Sequence, residues 1–210
     1  MKKCAIITAY VEGDLQELLT DCENAFIIAA DGGVGHALAH DIPIDLIIGD
    51  FDSYKGELPD DVPVIRLKPE KDDTDTGLSV TYAIEHGFRD ITIIGGIGGR
   101  LDHTIANIQV MLGATMQGVC IKIRAQGNTA TVIQNGTITL QKRPNATFSI
   151  FSLSERCLGV NIRRAKYPLH NYPLSYSFPL GCSNEFTEDT AEISVLDGIL
   201  LIVVSEKKQP

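Results

Sequence analysis

The sequence predicts an α/β N-terminal domain with a mainly parallel, Rossmann-like sheet, followed by an all-β antiparallel sandwich domain. Three observations point there. Up to about Gln126, short apolar β-type runs alternate with amphipathic helical segments, the pattern of βαβ units. Beyond Gln126 the helical period gives way to residue-by-residue alternation broken by Asn-Gly and Asp-Gly pairs. The charge divides at the same place, with 20 acidic and 10 basic residues up to Gln126 and 7 acidic and 8 basic after it. The expected domains are therefore 1–126 and 127–210, meeting near "AQGNT".

Each element has its own signal. "CAIITAYV" reads as a first strand, and "DLQELLTDCENA" carries Leu15, Leu18, Leu19 and Cys22 at helical spacing. "AFIIAADGG" is a strand running into glycines, followed by the strands "DLIIGDFDS" and "VPVIRLK". "TDTGLSVTYAIEHG" is a helix with Thr74 or Asp75 near its N-cap and Gly87 as its stop. "DITIIGG" is a strand, "LDHTIANIQVMLGATMQG" a helix closed by Gly118, and "VCIKIRA" the last strand of the half. In the second half, Asn135-Gly136 and Asp197-Gly198 predict hairpins, and Pro168, Pro173 and Pro179 predict loops or edge strands between them.

Composition bounds the function. At 210 residues, 44% hydrophobic and 21% charged, the chain is that of an ordinary soluble protein. Five dispersed cysteines without a C-x-x-C pair exclude a zinc site of the usual spacing and a disulfide framework, and predict buried thiols. "MKKCAIITAYVEGD" is a first strand rather than a signal peptide, because Glu12 ends its apolar run. No apolar segment approaches the ~20 residues of a membrane span. A cytoplasmic protein is expected, with no membrane partner. The acidic first half is a poor surface for nucleic acid, whose binding depends on neutralising phosphates, and a good one for cations.

The acids are not scattered. Ligands of a parallel sheet bind beyond the carboxyl ends of its strands, and four signals sit there: Asp31-Gly32-Gly33, Asp50 with Asp52, the Lys71–Asp75 segment, and the Gly95–Asp102 loop. In an extended chain Asp50 and Asp52 project to one side. Close carboxylates repel, which favours a raised pKa or a bound cation, and hard oxygen ligands select Mg²⁺ or Ca²⁺. Asp31, Asp50, Asp52 and Asp75 together are a candidate Mg²⁺ set. Alone, each would read as a turn or cap residue. "GGIGGR" is neither a G-x-G-x-x-G, since Leu101 occupies the last position, nor a P-loop. Its backbone amides, including those of Gly98 and Gly99, and the fork of Arg100 still suit a phosphate. His103 alone reads as a helix-start residue.

Taken together, "ADGG", "GDFDS", "KDDTD", "GGRLDHTIAN" and "GCSNEF" resemble the thiamin pyrophosphokinase family from about Ala30 to Phe186. The resemblance implies transfer of pyrophosphate from ATP to the thiamin hydroxyl, giving thiamin pyrophosphate and AMP. It implies an α/β domain that binds ATP and Mg²⁺, a β-sandwich that binds thiamin, and a homodimer with active sites at its interface. It assigns Asp31, Asp50, Asp52 and Asp75 to the metal. Lys71, Asp72 and Thr74 fall beside the ATP phosphates, and Arg100 and Asp102 near the phosphates and thiamin. Ser183 and Asn184 correspond to thiamin contacts. Asp72 or Asp102 would take the hydroxyl proton, and Tyr172, Tyr176, Phe178 or Phe186 would stack on thiamin in this tryptophan-free chain. The alternatives are a pterin pyrophosphokinase, a non-catalytic Mg-nucleotide sensor, and an ordinary kinase releasing ADP.

Overall fold

The computed structural model describes residues 1–52, 54–68 and 73–207. The chain forms two compact units, Met1–Gln126 and Gly127–Pro210.

The first unit alternates β1 (Lys3–Ile7), α1 (Leu15–Leu18), β2 (Phe26–Ala30), α2 (Gly33–Ala39) and β3 (Leu46–Gly49). It continues through β4 (Val64–Arg66), α3 (Asp75–Glu85), β5 (Asp90–Ile94), α4 (Leu101–Met116) and β6 (Cys120–Ala125). The strands lie in the order β6-β5-β1-β2-β3-β4, and all five pairings are parallel. The near-continuous apolar runs follow from burial on both faces. Ala5, Ile7 and Ile94 pack with Leu15 and Leu18 of α1 and Ala37 of α2. The alternate residues Ile6, Ile28 and Ile93 are equally buried, and α3 lies against β1, β2 and β3. The strand order changes direction beside β1, where β2 leaves to one side and β5 to the other. Crevices at the carboxyl ends of strands open at such a point.

Two helices depart from expectation. α1 spans only Leu15–Leu18 instead of continuing to Ala25. Thr20 Oγ1 bonds back to Glu17 O at 2.8 Å, and the Arg124 guanidinium takes the same carbonyl at 3.2 Å, so local polar groups end the helix. The helix α2 was not expected at all, because its seven residues carry two glycines. It forms because Gly33 permits contact with β1: a Cβ there would lie 2.1 Å from Ile7 O.

The second unit contains β7 (Asn128–Gln134), β8 (Thr137–Gln141), β9 (Ala146–Ser152), β10 (Arg156–Arg163), β11 (Leu169–Ser175), β12 (Gly181–Asn184), β13 (Thr190–Ser194) and β14 (Ile199–Glu206). Within it, β12-β9-β14-β7 and β11-β10-β13-β8 run antiparallel. Between them lies one core that includes Phe148, Ile150, Val160, Ile162, Ile193 and Ile202. Pro173 sits in the edge strand β11, where a missing N–H is tolerated.

Neither expected hairpin exists. β7 pairs with β14 while β8 pairs with β13, so Asn135-Gly136 carries the chain from one layer to the other, and Asp197-Gly198 does the same between β13 and β14. The two corners hold each other. Asn135 N–H donates to Gly198 O at 3.1 Å, and Gly198 N–H donates to Asn135 Oδ1 at 2.8 Å. The turn residues take the positive φ that suggested a hairpin (Asn135 47°, Gly198 122°), but the flanking strands face different partners. The cysteines form no disulfide: Cys4, Cys22 and Cys157 are buried, whereas Cys120 and Cys182 are exposed, against the expectation of burial throughout. No helix of the described residues is long and apolar enough to cross a membrane.

Candidate functional site

The acidic residues gather at the ends of β2 and β3. Asp31 follows β2 with φ 47°, its N–H donating to Ile48 O at 2.8 Å. Gly49 makes that approach possible, since a Cβ on it would fall 2.9 Å from Asp31 Cα. β3 ends at Gly49, and the chain then turns through Phe51 at φ 62°, so Asp50 and Asp52 are not neighbours along an extended strand. The turn brings them together all the same: Asp52 N–H donates to Asp50 Oδ1 at 3.2 Å. Phe51 anchors this turn. Its ring packs against the Ala29, Val34 and Ile47 cluster, and the Arg66 guanidinium lies 5.1 Å from its centroid. An apolar residue between two aspartates is thus the nail that holds the carboxylates outward.

One carboxylate oxygen from each of Asp31, Asp50 and Asp52 lies within 4.8 Å of the others. Three oxygens at that spacing suit a hard divalent cation, whose ligands sit roughly 2.0–2.6 Å from the ion. Asp75 is not part of this group of described residues. It opens α3, behind the N-cap Thr74, whose Oγ1 accepts the Gly77 N–H at 3.0 Å.

A cavity of about 300 Å³ lies beside the cluster at the β1/β5 divide. Thr8, Ala9 and Tyr10 line it from the end of β1, Asp31 from β2, and Thr74, Asp75 and Thr76 from the start of α3. Gly96, Gly98 and Arg100 come from the loop after β5, and His103 and Asn107 from α4. Asp31 belongs to both the cavity wall and the acidic group, and so joins them. The loop is fixed from below: Asn107 Nδ2 donates to Gly96 O at 2.8 Å, and the Gly98 N–H reaches Thr104 Oγ1 at 3.3 Å.

Arg100 caps α4 and grips Asp102 with two hydrogen bonds, Nε to Oδ1 at 3.1 Å and Nη2 to Oδ2 at 2.5 Å. The guanidinium holds the Asp102 carboxyl below its ordinary range, and the carboxylate raises Arg100 in turn. Both side chains are exposed, and Asp102 is not in the cavity wall. Lys71 and Asp72 lie outside the described residues.

In the second unit Ser183 and Asn184 differ. Asn184 is 3% exposed, its Oδ1 accepts from Tyr167 N and Glu185 N, and its Nδ2 donates to Tyr167 O. Its side chain is therefore engaged in holding β12 to the Tyr167 segment. Ser183 is exposed, at φ 56°, with its N–H on Ser149 Oγ at 3.0 Å. Of the four aromatics, Phe186 is core, edge-on to Phe148 with centroids 5.0 Å apart, while Tyr172, Tyr176 and Phe178 are exposed.

Two family descriptions fit this chain. "Thiamin pyrophosphokinase, catalytic domain" matches residues 15–123, and "Thiamin pyrophosphokinase, vitamin B1 binding domain" matches residues 136–200. The chain belongs to the thiamin pyrophosphokinase family. A thiamine pyrophosphokinase of Bacillus subtilis is 29% identical over 190 residues, covering 87% of this chain and 88% of its own. Thiamin pyrophosphokinase 1 of Caenorhabditis elegans is 23% identical over 201 residues, covering 88% and 83%. Among solved structures, the Bacillus subtilis thiamine pyrophosphokinase superposes with a TM-score of 0.88 at 27% identity, covering 98% of this chain and all of that one. The thiamin pyrophosphokinase of Geobacillus thermodenitrificans gives 0.81 at 27% identity, covering 99% of each. With a vitamin B1 binding domain matched beside the catalytic one, the pterin, sensor and ordinary-kinase alternatives are not favoured.

Sequence reasoning missed several walls of the cavity in this member of the thiamin pyrophosphokinase family. Thr8, Tyr10 and Asn107 were not singled out, although Thr8 and Tyr10 stand at the end of the first strand. The carboxyl-end rule that selected the aspartates would have selected them too.

Proposed function

We propose that the first unit aligns ATP and the second binds thiamin, so that the chain transfers pyrophosphate to the thiamin hydroxyl. The hydroxyl oxygen bonds to the β-phosphorus, the bond from that phosphorus to the α–β bridging oxygen breaks, AMP leaves, and the hydroxyl proton passes to a base or solvent. The observation that carries this reading is the pairing of both family matches with a cavity whose wall shares Asp31 with the acidic group.

We read the sheet order as Rossmann-like, with β4 as an additional edge strand and the nucleotide at the divide beside β1. Asp31, Asp50 and Asp52 are the residues that would hold Mg²⁺, which when bound supplies charge neutralisation to the polyphosphate. The chain's own part is positioning and charge. Loop amides around Gly98 and Gly99, with Arg100, meet phosphate oxygens, and Thr74 fixes the first turn of α3 so that Asp75 faces the cavity. Asp102, held ionised by Arg100, is a weak acceptor for the hydroxyl proton. The other candidate the sequence offers for that role is Asp72. In the second unit Ser183 is the direct polar contact for thiamin and Asn184 shapes the strand beneath it. Tyr172, Tyr176 and Phe178 are the remaining aromatic platforms.

The active form is a homodimer. Supporting this, α4 exposes Leu101, Ile105 and Met116, and residues 104–118 contain no Asp, Glu, Lys or Arg in a chain of net charge −9. That face lets two copies approach without repulsion. An active monomer in light scattering at assay concentration would refute it.

Phosphorus NMR with Mg-ATP, with and without thiamin, tests the reaction. AMP and thiamin pyrophosphate should appear together and only with thiamin. Release of ADP, or AMP without the thiamin product, would overturn the reading.

A further inference from the structure

Tyr10 is fastened to the glycine loop after β5 at several points, and the transfer set out above makes no use of them. Its carbonyl accepts the Gly96 N–H at 2.8 Å and the Thr8 hydroxyl at 3.0 Å. Its ring lies across the loop. A Cβ on Gly98 would fall 2.9 Å from ring atom Cε1, and one on Gly99 would fall 2.9 Å from Cε2. Two successive residues thus meet opposite edges of one ring, so the backbone crosses the ring's face. The phenol donates to Glu12 Oε1 at 2.5 Å, which fixes the ring from the far side. This hydrogen bond raises the Tyr10 pKa, with the Gly99 N–H acting in the opposite sense. Tyr10 is 37% exposed and lines the same cavity as Asp31 and Arg100.

We propose that Tyr10 is a positioning residue for the nucleotide, its ring holding Gly98 and Gly99 in the conformation that presents their amides to the polyphosphate. The proposal rests on the reading that this cavity takes ATP. Gly98 and Gly99 have φ of 102° and 58°. Consecutive glycines in the left-handed region have many other conformations open to them, and a loop free to visit those would have to be ordered when the nucleotide binds. A ring packed on the loop removes that ordering from the binding step. Tyr10 should therefore govern nucleotide affinity far more than the rate of transfer. The ring does the holding, and the hydroxyl only steadies the ring.

The test uses the full chain as wild type, Tyr10→Phe, Tyr10→Ala, Gly99→Ala and the Tyr10→Ala/Gly99→Ala double variant. MgATP binding is measured by calorimetry and turnover by kinetics. Tyr10→Ala should weaken MgATP binding and raise its KM about tenfold, with kcat within about threefold of wild type. Tyr10→Phe, which keeps the ring, should recover binding to within about twofold to threefold. Gly99→Ala should weaken binding by itself, because its Cβ meets the ring, and should cost less in the Tyr10→Ala background, so the two effects do not add. Wild-type affinity in Tyr10→Ala, a kcat loss at unchanged KM, or strict additivity would overturn the proposal. Wild type that binds MgATP but forms no product counts against the transfer reaction only, while the calorimetric coupling of Tyr10 and Gly99 still decides the proposal. A wild type that does not bind MgATP overturns both.

Discussion

Residues forced into left-handed backbone do different work in the two units. In the first, Asp31, Phe51, Gly95, Gly96, Gly98 and Gly99 all have positive φ, and all follow the carboxyl ends of β2, β3 and β5. They turn the chain around the acidic group and the cavity. In the second, Asn135 and Gly198 have the same backbone sense, and their polar groups are spent on each other. What separates the two cases is where the next strand goes. A parallel strand needs a helical crossover, so the turn stays at the open end of the sheet, where ligands bind. A strand that crosses to the facing layer of a sandwich must close its corner. Similar turn chemistry therefore gives an open, acid-lined edge in one unit and a locked corner in the other.

Changing the acid-lined edge should have the largest effect. Asp52→Asn keeps the side-chain volume, and Asp52 is exposed, so folding should be unchanged. Turnover should nonetheless fall by about a thousandfold or more, as for the loss of a charge that neutralises a transferring group. Unchanged kcat/KM with an unchanged melting curve would separate Asp52 from the site and weaken the distinction between the units.

Gly33→Ala probes the structure beneath the same edge. Its new Cβ would lie 2.1 Å from a backbone oxygen of β1 and has no flexible side chain to displace. Stability in urea denaturation should fall by about 3 kcal/mol or more, since the clash moves a strand end against a helix. A loss under about 1 kcal/mol would show that α2 shifts freely and that Asp31 is not held by it.

In the sandwich the corresponding change is milder. Asn135→Ala removes the acceptor for the Gly198 N–H and leaves an Ala at φ 47°, at a solvent-exposed corner. A loss of about 1–2 kcal/mol is expected, with turnover at the wild-type level. A turnover defect without a stability defect would mean that this corner also serves the site.

These contrasts show which parts of the molecule the sequence could disclose. The parallel strands were legible because burial on both faces writes long apolar runs, and the group of Asp31, Asp50 and Asp52 was legible because its three acids fall just after two of those runs. Pairing was not legible in the sandwich. Asn135-Gly136 and Asp197-Gly198 specify turn dihedrals, but nothing local says whether the following strand returns to its neighbour or crosses to the other layer. The helix α2 was hidden because Gly33 and Gly35 suppress local helical preference, while the contact that requires Gly33 is with the distant Ile7. The turn at Phe51 was hidden for a similar reason: its cause is burial of one ring against Ala29, Val34 and Ile47, a tertiary fact. Asn184 stands in a motif that suggests ligand contact, yet its three hydrogen bonds are to backbone groups of its own unit.

The smallest predicted effect compares two exposed, ion-paired carboxylates, one in each unit. Arg100 holds Asp102 beside the cavity, and Lys166 and Lys207 hold Glu185 in the sandwich, both carboxyls lying below their ordinary range because of those cations. A carboxyl whose pKa is lowered by folding contributes stability that is present above its unfolded value and is lost as pH falls through the folded one. Both pairs should therefore persist through mild acid and break only below the ordinary carboxylate range. Neither Asp102→Asn nor Glu185→Gln should change the melting curve measurably at neutral pH, as is usual for exposed pairs. Their kinetics should differ. Glu185→Gln should leave both constants unchanged, whereas Asp102→Asn frees Arg100 from its fixed orientation and should raise the KM for MgATP about threefold. The acid limb of the kcat/KM profile should stay in place in Asp102→Asn, because a carboxylate locked by Arg100 does not titrate in the working range. Disappearance of that limb in the variant would instead make Asp102 the proton acceptor, and the ion pair beside the cavity would then be a catalytic device where its sandwich counterpart is only a tether.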